Sequence, residues 1–304
     1  YAPRLVCHEC GWLAQCRRCD AYLTVHQKRA RLQCHHCGAE AAVPPACPDC
    51  GKPSLERMGK GTERLEETLA ELLPDYPIAR VDRDTTSRKG SLDTLLNEIR
   101  NGERRLLIGT QMVAKGHDFP DVTLVCVMNA DQGLFGLDFR AAERMAQLIV
   151  QVSGRAGRAE RRGEVLIQTH HPEHPLLIQL ANHGYNAFAD AALREREDAG
   201  LPPYATLALL RAEASTATPS RAFLESARNL ADSLGVQQLG VSLLGPAPAP
   251  MERRAGRFRS QLLLKAPERA ALQRLLAEWV PQLETLPEAR KVRWSVDVDP
   301  ADLF

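Results

Sequence analysis

The chain has 304 residues, of which 44% are hydrophobic and 25% charged, and its formal net charge at pH 7 is +1. This composition is typical of a soluble globular protein with room for two domains and a small third. The sequence contains no apolar run of about 18 residues and no signal peptide, so neither a membrane-spanning nor an exported protein is indicated. Any nucleic acid would have to bind local basic patches, because the chain as a whole is nearly neutral.

Eight of the nine cysteines fall in four Cys-x-x-Cys pairs at the beginning of the chain. The pairs, in order, are Cys7/Cys10, Cys16/Cys19, Cys34/Cys37 and Cys47/Cys50. Each pair can form a tight turn that gives two thiolates to one tetrahedral ion, so the eight thiols predict two structural Zn²⁺ sites. Sequential, interleaved and nested groupings are all possible. The 14 residues between the second and third pairs match a zinc ribbon and favour the nested grouping, in which the two outer pairs join.

Three histidines near these cysteines are alternative ligands, but eight thiols already fill two sites. We therefore expect His8, His35 and His36 to be neighbours of the zinc ions or exposed. Residues 1–52 also carry seven Lys/Arg against four acidic residues. This surplus partly offsets the thiolate charge and suits contact with phosphate or with a partner protein.

From Ser54 onward, apolar periodicity predicts alternating helices and strands. A helix begins near Thr62 and ends near Pro74, a short strand covers residues 78–81, and a second helix covers residues 92–99. The alternation has the length of βαβ units. It therefore predicts a parallel sheet with helices on both faces.

Three further strands follow in the same segment. Two are apolar runs, 106–109 and 122–127, and the last covers residues 163–169. Continuous apolar runs of this length are typical of parallel strands that are buried on both faces. Cys126 lies in the second run, and we expect it to pack in the core.

Two motifs between these strands carry the functional signal. The first is GTQMVAKGHDF, which starts at Gly109, and the second is QVSGRAGR, which ends at Arg158. Their spacing of three residues predicts that Arg155 and Arg158 lie on one side of a helix, among small residues. Their planar forks can bond phosphate oxygens in pairs while glycine and alanine allow close approach, so this face is suited to clamping phosphates. Taken alone, such a pair would be read as a solvated helix end.

The last segment starts near Leu201 and shows a different order of elements. Its predicted strands and helices are strand 206–212, helix 220–234, strand 241–244, strand 259–264, helix 268–283 and strand 292–298. This is the β-α-β-β-α-β pattern of a ferredoxin-like α+β domain, with two helices on one face of an antiparallel sheet. Arg253 and Arg254 lie in its central hairpin and are candidate DNA contacts, with a solvated turn as the alternative.

The two motifs resemble motifs V and VI of superfamily-two helicases. With DFPDVTLV between them, they resemble the bacterial replication-restart helicases of the PriA family, and the resemblance covers nearly the whole chain. It implies an α/β fold with a RecA-like second helicase lobe and an inserted two-zinc module, and it implies the nested cysteine grouping. The predicted domains are residues 1–52 (zinc module), 53–200 (helicase lobe) and 201–304 (C-terminal domain).

The resemblance also implies the residues that contact the nucleotide. Arg158 would be the arginine finger on ATP, Arg155 a second phosphate contact or its support, and Gln151 a polar link to the nucleotide or to the facing lobe. Gly116 and Asp118 would bind at the nucleotide site and couple its state to the arginines.

Three residues of the first motif would lie near DNA, namely Thr110, Gln111 and Lys115. ATP hydrolysis with Mg²⁺ also needs a Walker loop, and this sequence contains no G-x-x-x-x-G-K-[ST]. We therefore expect a fragment of a longer ATP-dependent 3′ to 5′ DNA helicase, inactive by itself.

The implied setting is the cytoplasm, with branched replication forks and single-stranded DNA as ligands and no membrane. Other primosome proteins and single-stranded DNA-binding protein are the implied partners.

Disulfides are uncommon in the cytosol, and redox Cys-x-x-Cys chemistry needs one pair rather than four, so zinc is favoured over both. A non-catalytic, zinc-containing scaffold that binds DNA or protein is the alternative, although it has no need for two arginines beside glycines. A small-molecule NTPase is a weaker alternative.

Overall fold

The structure is a computed structural model, and it describes residues 4–26, 30–58, 62–81, 91–109, 122–136, 138–154 and 163–303. The chain forms two compact units. Unit 1 contains Arg57–Ala191, and unit 2 joins Arg4–Glu56 to Ala192–Phe304. The predicted first and third segments thus lie in one unit, because the cysteine-rich module packs against the C-terminal domain. Among the helices described, none has both the length and the apolar character needed to cross a membrane.

The cysteine-rich module is built on five short strands. They are β1 (Arg4–Cys7), β2 (Thr24–His26), β3 (Arg31–Gln33), β4 (Glu40–Ala42) and β5 (Leu55–Met58), in the sheet order β4-β3-β2-β1-β5. Its core is small and mixes apolar side chains such as Leu5, Val25 and Leu32 with buried thiols. A core of this size gives little hydrophobic stabilisation, so bound metal would supply much of the folding energy.

Unit 1 contains two pairs of parallel strands and the helices that accompany them. Its elements are α1 (Thr62–Leu72), β6 (Ile78–Val81), α2 (Ser91–Arg100), β7 (Leu106–Gly109), β8 (Leu124–Val127), α3 (Asp131–Leu134), α4 (Ala141–Ser153) and β9 (Glu164–Ile167). Strand β6 pairs with β7, and β8 pairs with β9, both in parallel. The predicted parallel strands with intervening helices are confirmed, although the described strands form two separate pairs and not the one predicted sheet. Helix α5 (Pro175–Asp198) follows, interrupted at Gly184, where φ is 79°.

The expectation that Cys126 packs in the core is wrong. Cys126 is exposed in β8, as is Leu124, whereas Val125 and Val127 are half-buried. Leu166, which pairs with Cys126 in the neighbouring strand, is exposed as well. An apolar run alone does not reveal how many faces of a strand are covered, and here alternate side chains lie on an exposed face.

The C-terminal domain has the predicted ferredoxin-like topology. Its elements are β10 (Thr206–Ala214), α6 (Ala217–Ser233), β11 (Ser242–Arg254), β12 (Arg257–Ala266), α7 (Arg269–Leu283), a 3₁₀ turn (Pro287–Lys291) and β13 (Arg293–Val298). The strand order is β11-β12-β10-β13, and every neighbouring pair is antiparallel. Both helices pack on one face of this sheet around Phe223 and Trp279, which are fully buried. The indole N–H of Trp279 donates to the carbonyl of Ala227 at 2.8 Å.

The central hairpin is longer than predicted. Its strands were expected to end at Leu244 and to restart at Arg259, but pairing continues to Arg254 and Arg257. Register shifts after Leu244 and after Pro248 let β11 accommodate its prolines, which cannot donate to the ladder. The tip of the hairpin therefore carries its arginines beyond the domain core.

Candidate zinc centres and the arginine hairpin

The eight paired cysteines come together as two groups of four thiols, with the sulfur atoms of each group within 4.8 Å of one another. The first group is Cys7, Cys10, Cys47 and Cys50, and the second group is Cys16, Cys19, Cys34 and Cys37. The grouping is nested. Sulfur-to-sulfur distances include 3.6 Å for Cys7–Cys50 and 3.7 Å for Cys16–Cys37. Thiolates at about 2.3 Å around tetrahedral zinc lie roughly 3.8 Å apart, so both groups fit a structural zinc ion.

Backbone hydrogen bonds hold each Cys-x-x-Cys pair in a turn. In all four pairs the N–H of the first cysteine donates to the carbonyl five residues later at 2.8 Å. In three pairs a glycine follows the second cysteine with φ between 72° and 75°, and its N–H donates to the carbonyl of the first cysteine. These glycines are Gly11, Gly38 and Gly51. The left-handed conformation explains the residue type, since glycine adopts it without steric cost.

The turn of Cys16 and Cys19 is closed differently, because Asp20 stands where the other three turns have glycine. The N–H of Asp20 donates to the carbonyl of Arg253 at 2.8 Å. In return, the N–H of Arg253 donates to the Asp20 carboxylate at 2.6 Å, and the Arg253 Nε lies 3.5 Å from it. The hairpin of the C-terminal domain thus completes this zinc turn.

The hairpin also touches a thiol of the second group directly. The N–H of Ala255 donates to Cys19 Sγ at 3.2 Å, and the N–H of Gly256 donates to the carbonyl of Arg18 at 2.7 Å. Burial raises the pKa of Cys19 to about 12 even though the Ala255 N–H acts in the opposite direction. A buried thiol of this kind ionises at neutral pH when a cation balances its charge, which is what zinc binding does.

One thiol in each group is already tuned towards ionisation. Burial raises the pKa of Cys7, but hydrogen bonds from the backbone N–H groups of Cys10 and Glu9 and from the neighbouring thiols outweigh it and bring the pKa to about 7. Burial likewise opposes ionisation of Cys37, yet the N–H of Ala39 and the neighbouring thiols lower its pKa to about 7.

The two groups differ in their exposure. In the first group Cys10 and Cys50 are exposed, whereas the second group has three buried thiols and a half-buried Cys37. The two sites therefore differ in how readily solvent and chelators reach them.

Histidine is in neither group, and His8 instead contacts Glu56, with Nε2 2.7 Å from its carboxylate.

Gln151 is the nucleotide candidate that the described residues contain. It is exposed on α4, on the side opposite the buried Met145 and Ile149. The start of this helix is fixed by the buried Asp138, whose carboxylate accepts from the Arg140 N–H at 2.8 Å and from Arg144 at 3.0 Å. The other candidates from the two motifs lie outside the described residues: Thr110, Gln111, Lys115, Gly116, Asp118, Arg155 and Arg158.

Sequence reasoning missed the role of the hairpin tip at the second zinc group. Arg253 was predicted to contact DNA, and the structure places it against Asp20, while its neighbour Arg254 is exposed. The signal available in the sequence was the missing glycine after Cys19. Without glycine at this position, the turn takes its closing bonds from the hairpin.

The structure contains two groups of four thiols, parallel strand pairs with intervening helices, and a ferredoxin-like domain. This is the architecture expected of a helicase C-terminal lobe that carries a cysteine-rich module. Residues 58–160 match the helicase conserved C-terminal domain. Residues 16–41 match the PriA DNA helicase Cys-rich region domain, and residues 197–301 match the primosomal protein N C-terminal domain. All three matches are to domains found in PriA-type helicases, and the chain is similar to that family along most of its length.

Curated relatives match along most or all of the chain. Replication restart protein PriA of Haemophilus influenzae is 51% identical over 304 residues, which is 100% of this chain and 41% of that protein. The Bacillus subtilis protein of the same name is 38% identical over 99% of this chain and 37% of its own length. The Synechocystis protein is 40% identical over 86% of this chain and 32% of its own length. The chain thus spans about two fifths or less of these relatives.

Proposed function

We propose that this chain is the C-terminal part of an ATP-dependent 3′ to 5′ DNA helicase that restarts replication at stalled or repaired forks and assembles the primosome. The observation that supports this most strongly is the 51% identity to a replication restart protein along all 304 residues, with both arginines of QVSGRAGR present. The fork, single-stranded DNA, other primosome proteins and single-stranded DNA-binding protein are the proposed partners, in the cytoplasm.

The zinc module has a structural role in this proposal. Bound zinc cross-links the four turns and, with four thiolates at each ion, has no open position for a reacting water. Cys19 also accepts a bond from the hairpin of the C-terminal domain, so it connects the metal centre to that domain.

The nucleotide site would form between this lobe and a first lobe that carries the Walker loop. Arg158 would act on the charge that develops as the γ-phosphoryl group leaves ATP·Mg²⁺, a contribution on the order of 10³ to 10⁵ in rate. Arg155 would hold a phosphate oxygen or support Arg158, and Gln151 would link α4 to the nucleotide or to the facing lobe. Gly116 and Asp118 would transmit the nucleotide state to these arginines.

DNA contacts would come from the first motif and from the hairpin. Thr110, Gln111 and Lys115 would touch the tracked strand, and cycles of lobe closing and opening would move it past them. Arg253 and Arg254 are the proposed contacts of the hairpin. Arg254 is exposed, as a phosphate contact requires. Arg253, in contrast, is held by Asp20.

Strand separation is the experiment that tests this function. The full-length protein containing this chain should unwind a forked duplex with ATP, and Arg158→Ala should abolish unwinding. Arg274→Ala, which removes an exposed arginine of α7, is the matched control and should retain unwinding. Unwinding that survives Arg158→Ala, or a protein that binds forks and never unwinds them, would instead support the non-catalytic scaffold.

A further inference from the structure

The sulfur of the second cysteine in each Cys-x-x-Cys pair accepts a hydrogen bond from a backbone N–H group. In three pairs the donor belongs to the same turn and lies two residues after the cysteine. These bonds run from Trp12 to Cys10, from Ala39 to Cys37 and from Lys52 to Cys50. In the fourth pair the donor to Cys19 is Ala255, which is 236 residues away in the chain. The C-terminal domain therefore supplies a bond that the other three turns make for themselves.

Asp20 is the residue that distinguishes the turn of the second zinc group. In the other three turns this position holds a glycine with φ between 72° and 75°, and the left-handed conformation turns successive N–H groups towards the cysteine. Asp20 does not adopt a positive φ, and its N–H donates to the carbonyl of Arg253 at 2.8 Å. The hairpin thus takes over both the closing bond of this turn and the bond to its sulfur.

The hairpin tip has a backbone conformation that places its N–H groups against the turn. Ala255 and Gly256 form a two-residue loop with φ values of 53° and 81°. Alanine is disfavoured at such a φ, and a residue of this kind persists where surrounding contacts hold it. Those contacts are the bond from Ala255 to Cys19 Sγ at 3.2 Å and the bond from Gly256 to the carbonyl of Arg18 at 2.7 Å.

The charge at the second zinc group makes the Ala255 bond depend on the metal. Four thiolates outweigh the two positive charges of a zinc ion, so the loaded site is negative. Cys19 is buried, and solvent therefore screens this charge weakly. A hydrogen bond to an ionised acceptor is roughly twice as strong as one to a neutral acceptor. The Ala255 N–H thus binds a zinc-bound thiolate more strongly than it binds the neutral thiol of the metal-free site.

We propose that the hairpin tip is an integral part of the second zinc site, so that bound zinc and the docked hairpin stabilise each other. The Ala255 N–H and the bonds between Asp20 and Arg253 carry this coupling. Coupling between two binding events is reciprocal, so the factor by which docking raises zinc affinity is the factor by which zinc favours docking. Loss of zinc from the second group releases the hairpin, whereas loss of zinc from the first group does not.

The rate of zinc release tests the effect of the hairpin on the metal. The zinc-loaded chain is mixed with an excess of a chromogenic chelator, and the phase that disappears in Cys37→Ser is assigned to the second group. Ala255→Pro removes the N–H and excludes a φ of 53°, since proline holds φ near about −65°. Loss of a group that bonds to a metal ligand typically weakens metal binding about 10- to 100-fold. The second-group phase should therefore become faster by about this factor, with the first-group phase unchanged.

Two further variants separate the hydrogen bond from general damage to the hairpin. Ala255→Gly keeps the N–H and adopts a positive φ freely, so it should release zinc like the unaltered chain. Asp20→Gly/Ala255→Pro restores the glycine of the other turns and should release zinc more slowly than Ala255→Pro alone. Unchanged release in Ala255→Pro, equal acceleration of both phases, or failure of the added glycine to slow release would overturn the proposal.

Cobalt in place of zinc reports on the sulfur atom itself. Hydrogen bonds to a ligating sulfur change its electron density and with it the electronic properties of the metal site. The sulfur-to-cobalt charge-transfer band of Ala255→Pro should move to longer wavelength, because the unbonded thiolate is richer in electrons, and that of Ala255→Gly should stay in place. A hairpin that only packs against the module leaves the band of Ala255→Pro unshifted, and this result would overturn the proposal.

Hydrogen exchange at the hairpin tests the effect of the metal on docking. Cys37→Ser weakens the second group and should speed exchange of the Ala255 and Gly256 N–H groups at least roughly tenfold. Cys50→Ser weakens the first group in the same way and should leave their exchange unchanged. Slow exchange that persists in Cys37→Ser, or an equal rise in Cys50→Ser, would contradict the coupling. None of these measurements depends on unwinding, so the proposed function is decided separately.

Discussion

The Asp20 carboxylate joins the second zinc group to the hairpin, and Asp20→Ala tests how much this junction contributes. The substitution removes a charged acceptor 2.6 Å from the Arg253 N–H and an ion pair at 3.5 Å. A hydrogen bond to a charged group contributes about 1.5 to 3 kcal/mol, and an exposed ion pair up to about 1 kcal/mol. Because the Asp20 side chain is 45% exposed, solvent reduces both, and about 1 to 2 kcal/mol is expected.

Hydrogen exchange at the hairpin measures this loss without requiring global unfolding. A loss of about 1 to 2 kcal/mol should speed exchange of the Asp20, Ala255 and Gly256 N–H groups roughly 5- to 30-fold. Asp20→Asn keeps one acceptor oxygen, so its exchange rates should lie between those of the unaltered chain and those of Asp20→Ala. Asp49→Ala, an exposed acid in a turn of the first group, is the control. If these exchange rates are unchanged in Asp20→Ala, or rise equally in Asp49→Ala, Asp20 does not stabilise the contact between the second zinc group and the hairpin.

Three further results are expected. The purified chain should hold two zinc ions, and a chelator should first remove the ion at the first group, which is the more exposed. Simultaneous loss of both ions, or clearly fewer than two zinc ions per chain, would contradict the assignment. The chain alone should not hydrolyse ATP even with DNA present, because the site needs both lobes; turnover by the pure chain would contradict this. Trp279→Ala should lower the free energy of unfolding of the C-terminal domain by about 3 to 5 kcal/mol, because Trp279 is fully buried and donates to Ala227. Denaturant titration measures this change, and a loss below about 1 kcal/mol would show that the core is packed less tightly.

Features that depend on local spacing were predictable from the sequence. The ferredoxin-like order follows from the periods of successive apolar runs, which specify each helix and strand separately. The nested thiol groups follow from the distances between the cysteine pairs. Both kinds of signal lie within segments of the chain that form their structure largely from their own residues.

Features that depend on distant partners were not predictable. Asp20 and Arg253 are 233 residues apart, and the local sequence around either residue does not indicate that the two are in contact. The exposure of Cys126 had a similar cause, because an apolar strand does not specify whether another layer covers its second face. The roles of Arg155 and Arg158 stay predictions from the resemblance, since these residues lie outside the described ranges.

The central claim is that this lobe supplies an arginine that acts on ATP and does not hold DNA. Its most direct test compares stimulated ATP turnover with DNA affinity over a range of salt concentrations, for Arg158→Ala and Lys115→Ala in the full-length protein. Arg158→Ala should cut turnover by on the order of 10³ or more with DNA affinity and salt slope unchanged, and Arg158→Lys should recover little because it lacks the planar fork. Lys115→Ala should instead weaken DNA binding and reduce the salt slope by roughly one unit. If Arg158→Ala weakens DNA binding as much as it slows hydrolysis, and its salt slope falls, Arg158 lies on the DNA and the account is contradicted.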